Sequence, residues 1–147
     1  TYQSARGRQL PVAPPAGHPP ILALVVDTEE EFHWGQPFDR QADRVTAMAE
    51  IGRFQDLCDN AGVQPCYVVD FPVCARPEGH ASLVSYAADG RCEIGAHLHP
   101  WVNPPFTEEL SAFNPTGNLP ADLEREKLRQ LRSRIEAVFG TAPLTYK

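Results

Sequence analysis

The sequence predicts an α/β fold with a parallel sheet, because short apolar runs alternate with amphipathic segments along the chain. The predicted order is strand, helix, strand, helix, strand, helix, and each connection is long enough for a crossover between parallel strands. At 147 residues the chain suits one domain with a sizeable core. Acidic and histidine clusters follow two of the predicted strands, which is where parallel sheets collect functional side chains.

The first half of the chain contains an arm, a strand and a helix. Residues 1–20 lack hydrophobic periodicity and are rich in Pro and Gly, which is typical of a flexible arm or linker. Residues 21–26 form an unbroken apolar run, which predicts a strand buried on both faces. Residues 44–60 carry apolar side chains at helical spacing, and Gly62 lies where a left-handed cap would end that helix.

The second half continues the alternation, with proline and glycine marking the ends of its elements. The expected elements are a strand at 66–69, a loop at 71–77, a helix from Pro77 to about Ala88, a strand at 92–96, a proline-broken loop at 100–118, a helix from about Pro120 to Gly140, and the entry to a fourth strand at 143–147. Because the pattern stops at a strand entrance, we expect residues 21–147 to be the N-terminal part of a larger domain.

Composition and charge exclude several classes of function. The net charge of -6 provides no general attraction to nucleic acid or to acidic membranes, and no apolar run approaches the roughly 18 residues that a membrane span needs. Basic and acidic residues interleave over 122–136, which predicts a solvated helix face. The four cysteines lack CxxC spacing, and Cys58, Cys66 and Cys92 fall in predicted helix or strand, which favours buried reduced thiols and a cytoplasmic location.

Two clusters carry the chemistry. Asp27, Glu29 and Glu31 follow the first predicted strand and share one side if the backbone stays extended, and His97 and His99 share one face beyond the third. Two imidazoles two residues apart can hold one cation, and neutral imidazole with carboxylate is a common donor set for a divalent metal that keeps an open position. The sequence therefore predicts a divalent metal site at the end of the sheet.

Four other residues near these clusters have alternative interpretations. Trp34 and Trp101 each follow a cluster, where they would either stack on a sugar ring or anchor a loop. Asp70 ends the middle strand and would either line the pocket or cap a turn. Glu30 is expected to face away from the site into solvent.

Four blocks of the sequence resemble a known family. VVDTEEEFHWG and EIGAHLHPW resemble the first two motifs of the NodB-homology polysaccharide deacetylases, and PCYVVDFPV and NLPADLEREKL resemble the branch with a D-x-E first motif that occurs in lipopolysaccharide-type gene clusters. The resemblance covers roughly residues 21–147. It implies an irregular (β/α) barrel, of which this chain supplies the first three to four βα units, and a metal-dependent removal of an N- or O-acetyl group from a carbohydrate.

The resemblance also implies roles for individual residues. Asp27 matches the position of the catalytic base, and Glu29, His97 and His99 match the ligands of a divalent metal, most often zinc. The chain departs from the common pattern in two ways: many members have adjacent aspartates in the first motif, and the usual second motif places its histidines four apart. The later motifs, which include the general acid, would lie beyond Lys147, so we expect this segment alone to be inactive.

Two other functions remain open from the residues alone. The fold could bind metal or glycan without turning a substrate over. A metal-dependent phosphatase or nuclease on a similar sheet ranks last, because no glycine-rich loop or basic clamp lies beside the acids.

Overall fold

The chain folds as a mixed α/β unit in which three strands alternate with helices. A computed structural model describes residues 15–19, 21–33, 35–110 and 118–147. The elements, in chain order, are β1 (Val25–Thr28), a 3₁₀ segment (Thr46–Glu50), α1 (Ile51–Ala61), β2 (Cys66–Val69), α2 (Phe71–Ala75), α3 (Pro77–Ala88), β3 (Glu93–Ala96) and α4 (Ala121–Phe139). The predicted arm over residues 1–20 lies almost entirely outside the described residues.

The three strands form one parallel sheet in the order β1-β2-β3. Thr28 is in register with Val69, and Val69 with Ala96, so the carboxyl ends of all three strands meet at one edge. The predicted α/β class with a parallel sheet is confirmed. An isolated parallel bridge joins Ala96 to Tyr146, next to β3 and within the predicted entry to a further strand.

The prediction for the first strand was wrong in its bounds and burial. The paired strand is Val25–Thr28, and Ile21 and Leu22 precede it with 81% and 72% of their surfaces exposed. Among the described residues β1 pairs with β2 alone, whereas all four residues of β2 are buried. The apolar run therefore begins before strand pairing begins.

Most helices begin and end where the sequence predicts, but one predicted helix is divided in two and one short helix was not predicted. α1 ends at Gly62 and α4 at Gly140, both in the left-handed conformation, and α3 has the predicted bounds. The segment expected as one helix over 44–60 divides into the 3₁₀ turn and α1. The predicted loop after Val69 was wrong, because Asp70 accepts a hydrogen bond from the Val73 amide (2.9 Å) and thereby begins the short helix α2.

The core lies between the sheet and the helices, with Tyr67, Leu83, Leu131 and Ile135 fully buried. Burial of each aliphatic side chain stabilises the fold by about 1.5–3 kcal/mol. All four cysteines are buried and free, as predicted. Within the described ranges no helix is long and apolar enough to cross a membrane.

The solvated face predicted for α4 was wrong at one position. The Lys127 side chain is fully buried, whereas its neighbours Arg125 and Arg129 are exposed in i,i+3 ion pairs. Charge pattern along a helix does not reveal this exception, because the partners of Lys127 come from a loop 19 to 27 residues earlier in the chain.

Candidate metal centre

The carboxyl edge of the sheet brings together the two predicted clusters. Asp27 lies within β1 and Glu29 immediately after it, and His97 follows the last residue of β3, with His99 two positions further. The His97 amide still donates to the carbonyl of Val69 on β2 (2.9 Å), so the sheet holds the start of this segment. The two outer strands of the described sheet, β1 and β3, thus deliver the acids and the imidazoles to one place.

Glu29 lies between the two imidazoles. Its Oε2 atom is 3.7 Å from His97 Nε2 and 3.3 Å from His99 Nε2, and one ligand atom from each of these three residues lies within 4.8 Å of the others. Tetrahedral zinc with ligands at about 2.0–2.1 Å places them about 3.3–3.4 Å apart. The donor types and their spacing therefore fit a small divalent cation.

A carboxylate faces the second nitrogen of each imidazole. His99 Nδ1 is 2.8 Å from Glu30 Oε2, which makes Nδ1 the protonated nitrogen and leaves the Nε2 lone pair directed at Glu29. His97 Nδ1 is buried and lies 3.6 Å from Asp27 Oδ1, beyond hydrogen-bond distance. This arrangement of carboxylate, imidazole and an open donor atom is the one found around protein-bound metals.

Burial sets the protonation of the site. It lowers the pKa of both His97 and His99 below the ordinary value of 6.5, and for His97 the neighbouring His99 lowers it further. Both rings are therefore neutral near pH 7, which is the form that binds metal. Burial, together with the charges of Asp27 and Asp70, raises the pKa of Glu29, while the charge of His99 opposes that rise.

Glu30 was predicted to face solvent, and this prediction was wrong. Only 2% of its surface is exposed, its Oε2 faces His99 and its Oε1 accepts from Trp101 Nε1 (2.7 Å). Strand alternation fails here because β1 ends at Thr28 and the Glu30 amide donates to the Asp70 carboxylate (2.7 Å), which turns the chain inward. The expected extended backbone also ends at Thr28, so Glu31 does not join Asp27 and Glu29, and its carboxylate instead accepts from Thr46 and from the Ala47 amide.

Asp70 supports this turn from the middle strand. Its fully buried carboxyl accepts from the amides of Glu30 and Val73, which matches the capping alternative for this residue. Burial, reinforced by the hydrogen bond and charge of Glu30, raises the pKa of Asp70 well above its usual range. Glu30, Asp70 and His99 form a second compact donor group, but hydrogen bonds within the protein already occupy its atoms.

Of the two tryptophans predicted to lie near the site, Trp101 has a described position. Trp34 lies outside the described residues. Trp101 is buried, and its ring stacks between His99 (centroids 4.4 Å apart) and Phe38 (4.0 Å). This placement fits the loop-anchoring alternative better than a platform open to a sugar.

Lys147 is a site residue that the sequence reasoning missed. Its Nζ atom lies 2.5 Å from Asp27 Oδ2, and its amide donates to the carbonyl of Ala96 on β3 (3.0 Å). The predicted strand entry at 143–147 could have indicated this neighbour, since a strand beside β3 delivers its following residues to the same edge.

Comparison of the chain with protein-family models, with curated proteins and with solved structures gave no match. The geometry of the site and the short motif blocks therefore carry the functional proposal.

Proposed function

We propose that this chain belongs to a metal-dependent deacetylase-like hydrolase that removes an acetyl group from an amide or ester on a carbohydrate. The observation that carries the proposal is the convergence of Glu29, His97 and His99, with Asp27 beside His97. The motif blocks around these residues support the reaction class, because they resemble the deacetylase motifs at the positions that meet in space. Zinc is the divalent ion that this nitrogen and oxygen donor set fits best.

The proposed roles follow from position and protonation. A divalent cation held by Glu29, His97 and His99 would polarise the substrate carbonyl and activate water as a nucleophile. Asp27 is partly exposed at the edge of the sheet, and its carboxylate would accept the proton that the attacking water loses. The ammonium of Lys147, 2.5 Å from Oδ2, holds this carboxylate in place and leaves Oδ1 on the side of His97.

A cleft beside the segments that follow Asp70 and Trp101 supports a carbohydrate as substrate, although none of the four proposed site residues lines it. Its volume is about 500 Å³, and its walls include residues directly after Asp70 and Trp101. It combines aromatic rings with paired charged groups, a mixture that suits the apolar faces and hydroxyl groups of a sugar. The lining residues are Arg40, Asp43, Phe71, Pro72, Ala75, Arg76, Pro77, Glu78, Val102 and Phe106.

Metal uptake is the first test of this proposal. We expect the chain to bind one zinc ion per molecule and the double variant His97→Ala, His99→Ala to bind none, measured by elemental analysis after dialysis. The double variant His18→Ala, His33→Ala is the matched control, because both of these histidines are exposed and outside the cluster. Undiminished zinc in the His97, His99 variant would refute the site.

Acetate release is the second test. We expect the zinc-loaded full-length gene product to release acetate from an N-acetylated chitooligosaccharide or an O-acetylated glycan, and residues 1–147 alone to release none. Asp27→Asn in the full-length product should stop this release while leaving zinc uptake intact. Zinc uptake by the full-length product without acetate release from either probe would instead favour a metal- or glycan-binding protein of the same fold.

A further inference from the structure

Lys127 is a buried cation that holds a loop. Its side chain is fully buried on α4, and its Nζ donates to the carbonyls of Pro100 (3.0 Å), Asn103 (2.6 Å) and Pro105 (2.6 Å). The carboxylate of Glu108 lies 3.1 Å from the same atom. An ammonium group has three donors and no acceptor, so this ring of oxygens matches its protonated form.

The main chain of the same residue supplies a second tie. The Lys127 carbonyl accepts from the side-chain amide of Asn103 (3.0 Å), which is itself fully buried. The ring of Phe106 lies 5.3 Å from Nζ, within cation–π distance. One helical residue therefore contacts five positions of the segment 100–108, namely Pro100, Asn103, Pro105, Phe106 and Glu108.

This segment leads directly to the candidate metal centre. Pro100 follows His99 in the chain, so the carbonyl bound by Lys127 lies one residue after a proposed metal ligand. Trp101 donates to Glu30 Oε1, while Glu30 Oε2 faces His99 Nδ1. The conformation of the loop thus sets both the path of the backbone after His99 and the carboxylate that orients its ring.

Resting on the proposed function, we infer that Lys127 is a positioning residue of the metal centre, which acts through Pro100 and Trp101 to hold His99 in its ligating orientation. Burial of an ammonium is costly, and an apolar side chain would fill a helix interface more cheaply. The ammonium group contributes what an apolar side chain cannot: it donates hydrogen bonds to three backbone carbonyls and so fixes where they lie.

Zinc affinity tests this inference, measured by competition with a chromophoric chelator. We expect Lys127→Met to weaken zinc binding about 10–100-fold, the usual effect of losing a residue that orients a ligand. We also expect the visible spectrum of the cobalt-substituted variant to differ from that of the parent, because the ligand geometry changes. Trp101→Phe removes the indole N–H donor and keeps an aromatic ring, and it should weaken binding roughly tenfold even if Lys127→Met fails to fold.

Arg134→Met is the matched control. Arg134 also lies on α4 and also donates to backbone carbonyls, but those belong to Cys74 and Ala75 at the end of α2. We expect it to lower thermal stability and leave zinc affinity and the cobalt spectrum unchanged. If the parent, Lys127→Met and Trp101→Phe bound zinc with equal affinity, this inference would be overturned and the proposed function would stand. The same would hold if Arg134→Met lost as much zinc affinity as Lys127→Met. A parent chain that binds no zinc would overturn the proposed function as well.

Discussion

Glu30 is a single carboxylate that orients a proposed metal ligand without being one of the proposed ligands. Its two oxygens are divided between a tryptophan and an imidazole, at 2.7 Å and 2.8 Å. Burial raises the pKa of Glu30, and the hydrogen bonds from its neighbours oppose that rise. Charge-assisted hydrogen bonds are the stronger kind, so an ionised Glu30 gives His99 one tautomer and one orientation.

We predict that Glu30→Gln weakens zinc binding about 10–100-fold without unfolding the protein, because the amide keeps the shape but accepts less strongly from His99. The measurement is a competition titration with a chromophoric chelator near pH 7.5. Glu31→Gln is the matched control, since this neighbour binds Thr46 and the Ala47 amide and points away from the metal centre. If both variants bound zinc as tightly as the parent, Glu30 would have no part in orienting the ligand.

At the scale of elements, α2 and α3 pack so closely at Gly79 that a side chain at this position would not fit. Gly79 lies on α3, and a Cβ atom at this position would stand 2.6 Å from the carbonyl oxygen of Val73 and 2.9 Å from its Cα. Both of those atoms belong to the backbone of α2, which therefore cannot rotate away. Because Asp70 caps α2 and also binds the Glu30 amide, the packing of these helices bears on the position of Glu30.

We predict that Gly79→Ala destabilises the fold by about 1–3 kcal/mol, the usual cost of inserting a methyl group into filled space. Chemical denaturation of the metal-free protein would measure the change in the free energy of unfolding. Gly52→Ala in α1 provides the comparison, because its Cβ would meet only the side-chain hydroxyl of Tyr86 at 3.3 Å. In Gly52→Ala the higher helix propensity of alanine should offset the cost of this contact. If Gly52→Ala lowered the free energy of unfolding as much as Gly79→Ala, the packing argument would be contradicted.

Local signals predict some elements well and miss others for a physical reason. β2, α3 and α4 stand where apolar periodicity, Pro77 and Gly140 place them, because those signals act within a few residues. α2 depends instead on the cap supplied by Asp70, a residue whose capping and pocket-lining roles look alike in sequence. The bounds of β1 depend on pairing with β2.

The same limit applies to the candidate site. Strand ends and residue types are sufficient to place Glu29, His97 and His99 together, because a parallel sheet aligns its carboxyl edge. The burial of Glu30 and Lys127 could not be predicted in this way, because it depends on partners 69 and 24 positions away in the chain. Alternation assigns a face only while the strand continues, and β1 ends two residues before Glu30.

For the whole molecule, the site joins parts of the chain that unfolding would separate. Glu29 follows β1 and both histidines follow β3, with β2 between them in the sheet. A cation that binds this assembled cluster, and binds the unfolded chain weakly, must stabilise the folded state. At a free zinc concentration 100 times the Kd, the gain is about 2.7 kcal/mol, which corresponds to roughly 5–11 °C in Tm for a chain of this size.

This stabilisation should depend on pH in a direction that the pKa shifts determine. The imidazoles of His97 and His99 have pKa values below 6.5 in the folded protein, so the unfolded chain binds more protons as the pH falls through 6.5. Their contribution to stability is therefore complete above that pH and is lost on acidification. Glu29 acts oppositely in the metal-free protein, because its raised pKa makes its contribution decline as the pH rises through the folded value.

The difference in Tm between zinc-loaded and chelator-treated protein separates these effects, since the metal-free terms cancel. We predict that this difference is full at pH 7.5–8 and shrinks as the pH falls through the folded pKa values of the imidazoles, where protons compete with zinc for Nε2. Differential scanning calorimetry at a series of pH values would measure it. The His97→Ala, His99→Ala variant should show no zinc-dependent rise at any pH. A rise of the same size at pH 5 and pH 8 would mean that zinc binds somewhere other than at these two imidazoles.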